Sequence, residues 1–217
     1  MTTRQSEALS ADRPPLPEGK LTFEEFHDWL TDGTFAEWVD GEVIMMSPSS
    51  ERHEALVFFL AALVRTFAQE RDLGRVYLAP FLMRLYERPS GREPDLLFVS
   101  TENAERMKET YVDGPADLVV EVVSPESVSR DRGDKYAEYE QAGVREYWLI
   151  DPIRESANFY MLDDEGLYRD AILEEESIFR SKVLAGLWLD VSWLWQKKLP
   201  TNRQTVELVD KMLAEIS

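Results

Sequence analysis

The segment LVVEVV at 118–123 limits the fold more than any other part of the sequence. A continuous Leu/Val run is the signature of a strand buried on both faces, and such strands sit in sheets covered by helices on each side. Glu121 interrupts the run. An ionised carboxylate buried there without compensation costs on the order of several kcal/mol, so it must find a cation, a donor network, a proton or an opening to water. A structural ion pair and a metal site both satisfy that demand, and the residue alone does not choose between them.

The remaining pattern reads as α/β around this strand. LTFEEFHDWL has helical spacing, with Thr22 and Glu25 placed as a capping box. Asp40-Gly41 supplies the positive φ of a tight hairpin turn between two short extended runs. Residues 50–70 carry the stripe of a long amphipathic helix, with Leu56, Phe59, Leu60, Leu63, Val64 and Phe67 on one face. Extended runs are expected at 75–79, 81–86, 95–99 and 117–123, with a turn at 89–91. A helix is expected at 131–142 with Gly143 as its stop, followed by the buried strand REYWLID. Beyond it lie a hairpin turning at 163–166, the aromatic stretch GLWLDVSWLW and a last helix at 205–216. The expected organisation is a loose Pro-rich arm at 1–20, one domain at 21–200 and a C-terminal helix at 201–217.

Composition removes several chemistries. The chain of 217 residues has no Cys, which excludes thiolate zinc sites, iron–sulfur clusters and thiol nucleophiles. With 42 acidic against 24 basic residues the net charge is −18, so avid nonspecific binding of polyanions is disfavoured. A local basic cluster or a bound cation can still reverse the potential inside one cleft. The polar start and the lack of a long apolar run predict a cytoplasmic protein with no membrane span.

Asp95 is a second strand carboxylate: in REPDLLFV, Pro94 stands where a strand can begin without an N–H. If the two strands are neighbours, Asp95 and Glu121 offer hard oxygen ligands at one place, which suits Mg²⁺ or Mn²⁺. Pro94-Asp95 followed by Glu121-Val122-Val123 resembles a degenerate P-D-(D/E)-x-K nuclease motif in which Val123 occupies the usual Lys position. The ordered set VDGEVIMMSP, His53, EPDLLFV, ADLVVEVVSPES and RDRGDKYAEYEQAGVREYWLIDP extends this. Together these strings resemble the bacterial Uma-type family, also called domain of unknown function 820, from about residue 21 to 194.

The resemblance implies a restriction endonuclease-like fold, a mixed central β-sheet flanked by helices with peripheral β-hairpins, and endonuclease activity on DNA. It implies Asp95 and Glu121 as metal ligands, Lys135 as a Lys relocated to the following helix, and Glu42 as the additional acidic position. His53, at the start of the long helix, and Tyr139, one turn beyond Lys135, are auxiliary candidates. Arg84, Arg88 and Arg92 are candidate phosphate contacts on the hairpin leading to Asp95. The acidic charge predicts low affinity for the DNA substrate. Trp188, Leu189, Trp193 and Leu194 are expected to form an apolar surface favouring a homodimer. The competing reading is a non-catalytic interaction or regulatory protein on a nuclease-like scaffold. A carboxylate-pair glycosidase lacks the sugar-stacking aromatics around Asp95 and Glu121.

Overall fold

A computed structural model describes residues 15–31, 34–124 and 133–216. The expected arm at 1–20 falls largely outside them. The elements run α1 (Phe23–Trp29), β1 (Ala36–Val39), β2 (Glu42–Met45), α2 (Glu51–Glu70), β3 (Gly74–Leu78), β4 (Leu82–Leu85), β5 (Ser90–Arg92), β6 (Leu96–Ser100), β7 (Tyr111–Asp113) and β8 (Leu118–Val122). They continue with α3 (Lys135–Ala142), β9 (Glu146–Asp151), β10 (Ser156–Leu162), β11 (Tyr168–Asp170), β12 (Ile178–Arg180), β13 (Trp188–Asp190) and α4 (Asn202–Glu215). This is the mixed α/β architecture expected.

A six-stranded sheet, ordered β11-β10-β9-β8-β6-β3, forms the centre. Its β8–β9 pair is parallel and its other pairs are antiparallel. The first hairpin is not peripheral: β1 and β2 belong to a second, five-stranded sheet, β2-β1-β5-β4-β7. Residues 89–91 are likewise not a turn. Ser90 and Gly91 pair with β1 on one side and β4 on the other, and the chain turns earlier, at 86–89. Gly91 lies so close under α1 that a Cβ there would come within 2.9 Å of the Phe23 ring, so Gly serves close approach at this position.

Alternation along the strands sorts side chains into layers. Leu96, Phe98, Leu118, Val120 and Val122 face α2 and pack with Leu56, Leu60, Leu63 and Phe67. Leu97, Val99, Val119 and Val123 face the other way, toward Met83 and Leu85 of the second sheet and Tyr139 of α3. Phe23 and Phe26 of α1 cover the outer side of the second sheet with Ala36 and Trp38.

The capping box on α1 forms as its residues indicate, with Thr22 accepting from Glu25 N. A second box, Thr201 with Gln204, starts α4 earlier than the expected residue 205. Val209 and Met212 of α4 join the apolar layer around α2. The expected start of the helix at 131 lies outside the described residues, while Gly143 ends it in the left-handed conformation, φ 84°.

The dimer surface is corrected by burial. Leu189 and Leu194 are fully buried, and the half-buried Trp188 and Trp193 rings pack together, Trp193 also against Phe59. These residues finish the α2 layer because β13 and the turn after it fold onto that helix. Among the described residues no helix is long and apolar enough to cross a membrane.

Candidate active site

The β6–β8 register pairs Leu96 with Val120, Leu97 with Val119 and Phe98 with Leu118. Continued by one residue, it sets Asp95 opposite Glu121 on the face shared with Leu97 and Val119, where cross-strand side chains lie within contact range. The Val122 N–H donates to Asp95 Oδ2 at 2.6 Å, which holds that carboxylate against the end of β8. Both carboxylates line a cavity of about 680 Å³ with Lys135, His53 and Glu93. The tertiary structure thus brings Asp95, Glu121, Lys135, His53 and Tyr139 together.

Lys135 lies in the first turn of α3, 2% exposed, with Nζ 2.8 Å from Glu121 Oε1 and 3.0 Å from Glu37 Oε1. Tyr139, one helical turn later, donates its hydroxyl to the same Glu121 oxygen at 2.7 Å and packs edge-on against Tyr147. Burial, aided by Glu121, pushes the Tyr139 hydroxyl far above its ordinary pKa, so it is a fixed donor. Val123, at the position usual for Lys, is buried in the apolar layer with Tyr139 and Tyr147. The ammonium therefore reaches Glu121 from the helix.

The residue that sequence reasoning missed is Glu37. On β1 it alternates with Ala36 and Trp38, which face α1, so its side chain enters the space between the two sheets. The β1–β5 register, Trp38 with Gly91, continues to place Glu37 opposite Arg92. Arg92 pairs with Glu37 at 2.7 Å and, through two nitrogens, with Glu138 of α3 at 2.6 and 2.8 Å. A buried chain of alternating charge results: Glu121, Lys135, Glu37, Arg92, Glu138. Burial would raise the Glu37 carboxyl, but the charges of Lys135 and Arg92 outweigh it and hold it at about 2. The signal was available, since a carboxylate between apolar strand residues is the same anomaly as Glu121.

Four expectations are corrected here. Glu42 is exposed, begins β2 opposite Val39, and does not line the cavity. The hairpin delivers its acid from the middle of β1 because only there does the side chain point inward. Arg92, 1% exposed and saturated by two carboxylates, has no face for a phosphate. Arg84 pairs with Glu24 at 2.8 Å and lies over the Phe23 ring, away from the cavity. Arg88 is exposed beside a separate cleft with Asp40 and Glu87.

His53 is set by the start of α2, where Ser50 caps the helix by accepting from His53 N. Its Nε2 lies 3.2 Å from Asp95 Oδ2. Burial would lower the imidazole pKa, yet the hydrogen bond and charge of Asp95, with Glu54 and Glu121 behind them, raise it. Glu93 is the contrary case: burial and the nearby Glu37 charge raise its carboxyl to about 8, so it is mostly protonated at neutral pH.

Among the described residues no group of three or more His, Asp or Glu forms a ready-made metal cage. Mg²⁺ does not require one, since it commonly takes one or two carboxylates and completes its shell with water and phosphate oxygens. The facing Asp95 and Glu121 carboxylates fit that demand.

Comparison with known proteins gives the family and the fold. Residues 23–192 match the model of the Uma2 family, described as "Putative restriction endonuclease", and the chain belongs to that family. It is 26% identical over 162 residues to the uncharacterized protein slr1290 of Synechocystis sp., covering 73% of this chain and 83% of that one. The fold is similar to the crystal structure of a "putative nuclease belonging to DUF820" from Anabaena variabilis, with a TM-score of 0.67 at 16% identity. That match covers 81% of this chain and 97% of the other.

Proposed function

We propose that the protein is a divalent-metal-dependent endonuclease that hydrolyses phosphodiester bonds in DNA. The observation that carries this reading is the corner where Asp95 faces Glu121 and the Lys135 ammonium stands 2.8 Å from Glu121. Membership of a family described as "Putative restriction endonuclease" supports it. Asp95 and Glu121, with the Val122 carbonyl, are the residues that would hold Mg²⁺ or Mn²⁺, which when bound neutralises phosphate charge and acidifies water.

The chain's own groups do the rest. Lys135 Nζ presents donors where negative charge grows on a phosphate oxygen as the water oxygen bonds to phosphorus and the bond to the leaving sugar oxygen breaks. Glu37 holds that ammonium in place, and Arg92 in turn fixes Glu37. His53 and the Val122 N–H fix the orientation of Asp95.

Calorimetric titration of Mg²⁺ or Mn²⁺, paired with cleavage of labelled DNA, tests the assignment. Wild type is expected to bind saturably, and Asp95→Ala to lose both binding and cleavage. Lys135→Ala should keep metal binding, since ammonium is no ligand, while cleavage falls about 100-fold or more. Val123→Lys in that background should restore part of the activity, because position 123 points to the same face as Glu121. A Lys135→Ala protein as fast as wild type overturns the role of Lys135. Absence of metal binding in wild type as well as in Asp95→Ala favours a non-catalytic interaction protein, the reading to which the −18 charge inclines.

A further inference from the structure

The cavity has two unlike walls. One is the acidic corner. The other is apolar and open to solvent, built by Phe35 before β1, Met45 at the end of β2, and Val57 and Phe58 on α2. Phe58 is 68% exposed and Phe35 48% exposed, an unusual state for two large aromatics flanking one cavity.

The supply of positive charge is equally telling. Among the described lining residues only Lys135 and His53 can be cationic, against four carboxyl residues, Glu54, Glu93, Asp95 and Glu121. The Lys135 ammonium is already shared by Glu37 and Glu121, and Arg84 and Arg92 are committed elsewhere. Duplex DNA is gripped mainly through its phosphates, by an array of Lys and Arg. Among the described residues the lining offers no such array, and the surface it does offer a polynucleotide is the exposed aromatic pair, which suits a base. Bases are accessible to an aromatic wall when they are unpaired or taken out of the stack. The volume of about 680 Å³ suits one such nucleotide beside the carboxylates, and the flexible Met45 side chain adapts to bases of different outline.

We propose that the site acts on single-stranded or locally unpaired polynucleotide, one base of which enters the cavity and stacks on Phe58 and Phe35. The adjoining phosphate then lies at Asp95 and Glu121. This rests on the nuclease reading and narrows its substrate class. Base identity is read weakly, because every base offers a π face to the Phe rings.

The test uses the full chain with Ca²⁺ replacing Mg²⁺, and a 2-aminopurine oligodeoxynucleotide as probe, either single-stranded or in a blunt duplex of the same sequence. Fluorescence titration should show the single strand bound at least tenfold more tightly than the duplex, with a change in 2-aminopurine emission. Phe58→Ala should weaken single-strand binding by about 5- to 150-fold, the range of one base–aromatic stack. Because Phe58 is mostly exposed, the variant should keep the wild-type unfolding midpoint. Equal or tighter binding of the duplex, or single-strand affinity unchanged in both Phe58→Ala and Phe35→Ala, overturns the proposal. Metal-dependent cleavage that is lost in Asp95→Ala but shows no preference for unpaired substrate overturns this inference and leaves the nuclease standing. Phe58-dependent single-strand binding without cleavage of any DNA supports the base pocket and overturns the nuclease.

Discussion

The two faces of the six-stranded sheet are filled by opposite means. Toward α2 the contacts are apolar, Leu60, Leu63 and Phe67 against Phe98, Leu118 and Val120, each 1% exposed or less, and the buried Glu146 carboxyl at the edge of that face accepts from Trp148, Ser181 and the backbone of Lys182 and Val183. Toward the second sheet, apolar packing gives way at the strand ends to the chain Glu121, Lys135, Glu37, Arg92 and Glu138. Apolar burial is non-directional, and many side chains of similar volume would fill the first face. Buried charges must each find a partner in a fixed direction, and an apolar filling of equal volume is often at least as stable. The second face therefore carries a chain of buried ion pairs where the first holds Glu146 among neutral donors, and it does so where the cavity opens. The site proposed above lies on the charged side.

The largest effect should come from breaking the charge chain in its middle. Arg92→Met leaves Glu37 and Glu138 buried without their partner and should cost about 3–5 kcal/mol in urea unfolding. Leu60→Ala on the apolar face should cost about 2–5 kcal/mol by cavity formation. The two losses differ in what repairs them. Adding Glu138→Gln should recover part of the Arg92→Met deficit, and no charge change should relieve Leu60→Ala. Equal relief in both backgrounds would erase the distinction between the faces.

A smaller effect of opposite sign separates two carboxyls of the same region. Glu93 is raised from its ordinary 4.5 to about 8, so its contribution to stability is complete below about pH 4.5 and disappears as pH rises through 8. Glu37 is lowered from 4.5 to about 2, so its contribution is present above about pH 4.5 and disappears as pH falls toward 2. Glu93→Gln in metal-free protein should therefore gain stability at pH 8, on the order of a few kcal/mol, and be near neutral at pH 4. Glu37→Gln should be strongly destabilising at pH 7 and much less so near pH 2. Denaturant midpoints across pH check both, and parallel profiles for the two variants would contradict the assigned environments.

The smallest effect is expected at the exposed end of the first hairpin. Glu42→Gln should change stability by about 0.5 kcal/mol or less and leave metal binding unaltered. A loss of metal affinity there would return Glu42 to the site and weaken the case for Glu37.

Much of the local structure was legible. The capping box of α1, the stripe of α2, the Asp40-Gly41 turn and the Gly143 stop each depend on residues a few positions apart, whose physics is complete within the segment. Strand carboxylates in apolar runs were equally legible as anomalies, which is how Asp95 and Glu121 stood out. The same reasoning applied to AEWV would have marked Glu37. It went unmarked because the DGE turn next to it offered a more familiar acid, and a hairpin's inward face is not visible until something packs on it.

Sequence by itself thus determined that this chain is α/β, that it carries costly strand carboxylates, and that Val123 leaves a charge to be supplied from elsewhere. Tertiary structure decided which charges meet. The antiparallel β6–β8 register set Asp95 opposite Glu121, the stacking of a second sheet over the first brought Glu37 and Arg92 inward, and the return of α3 placed Lys135 between Glu37 and Glu121. Periodicity is a property of neighbouring residues, whereas the partner of a buried charge is fixed by strands and helices far apart in the chain. Burial of Leu189, Val191 and Leu194 under α2 was decided in the same way, because an apolar run records only that it must be covered, and packing chooses the cover.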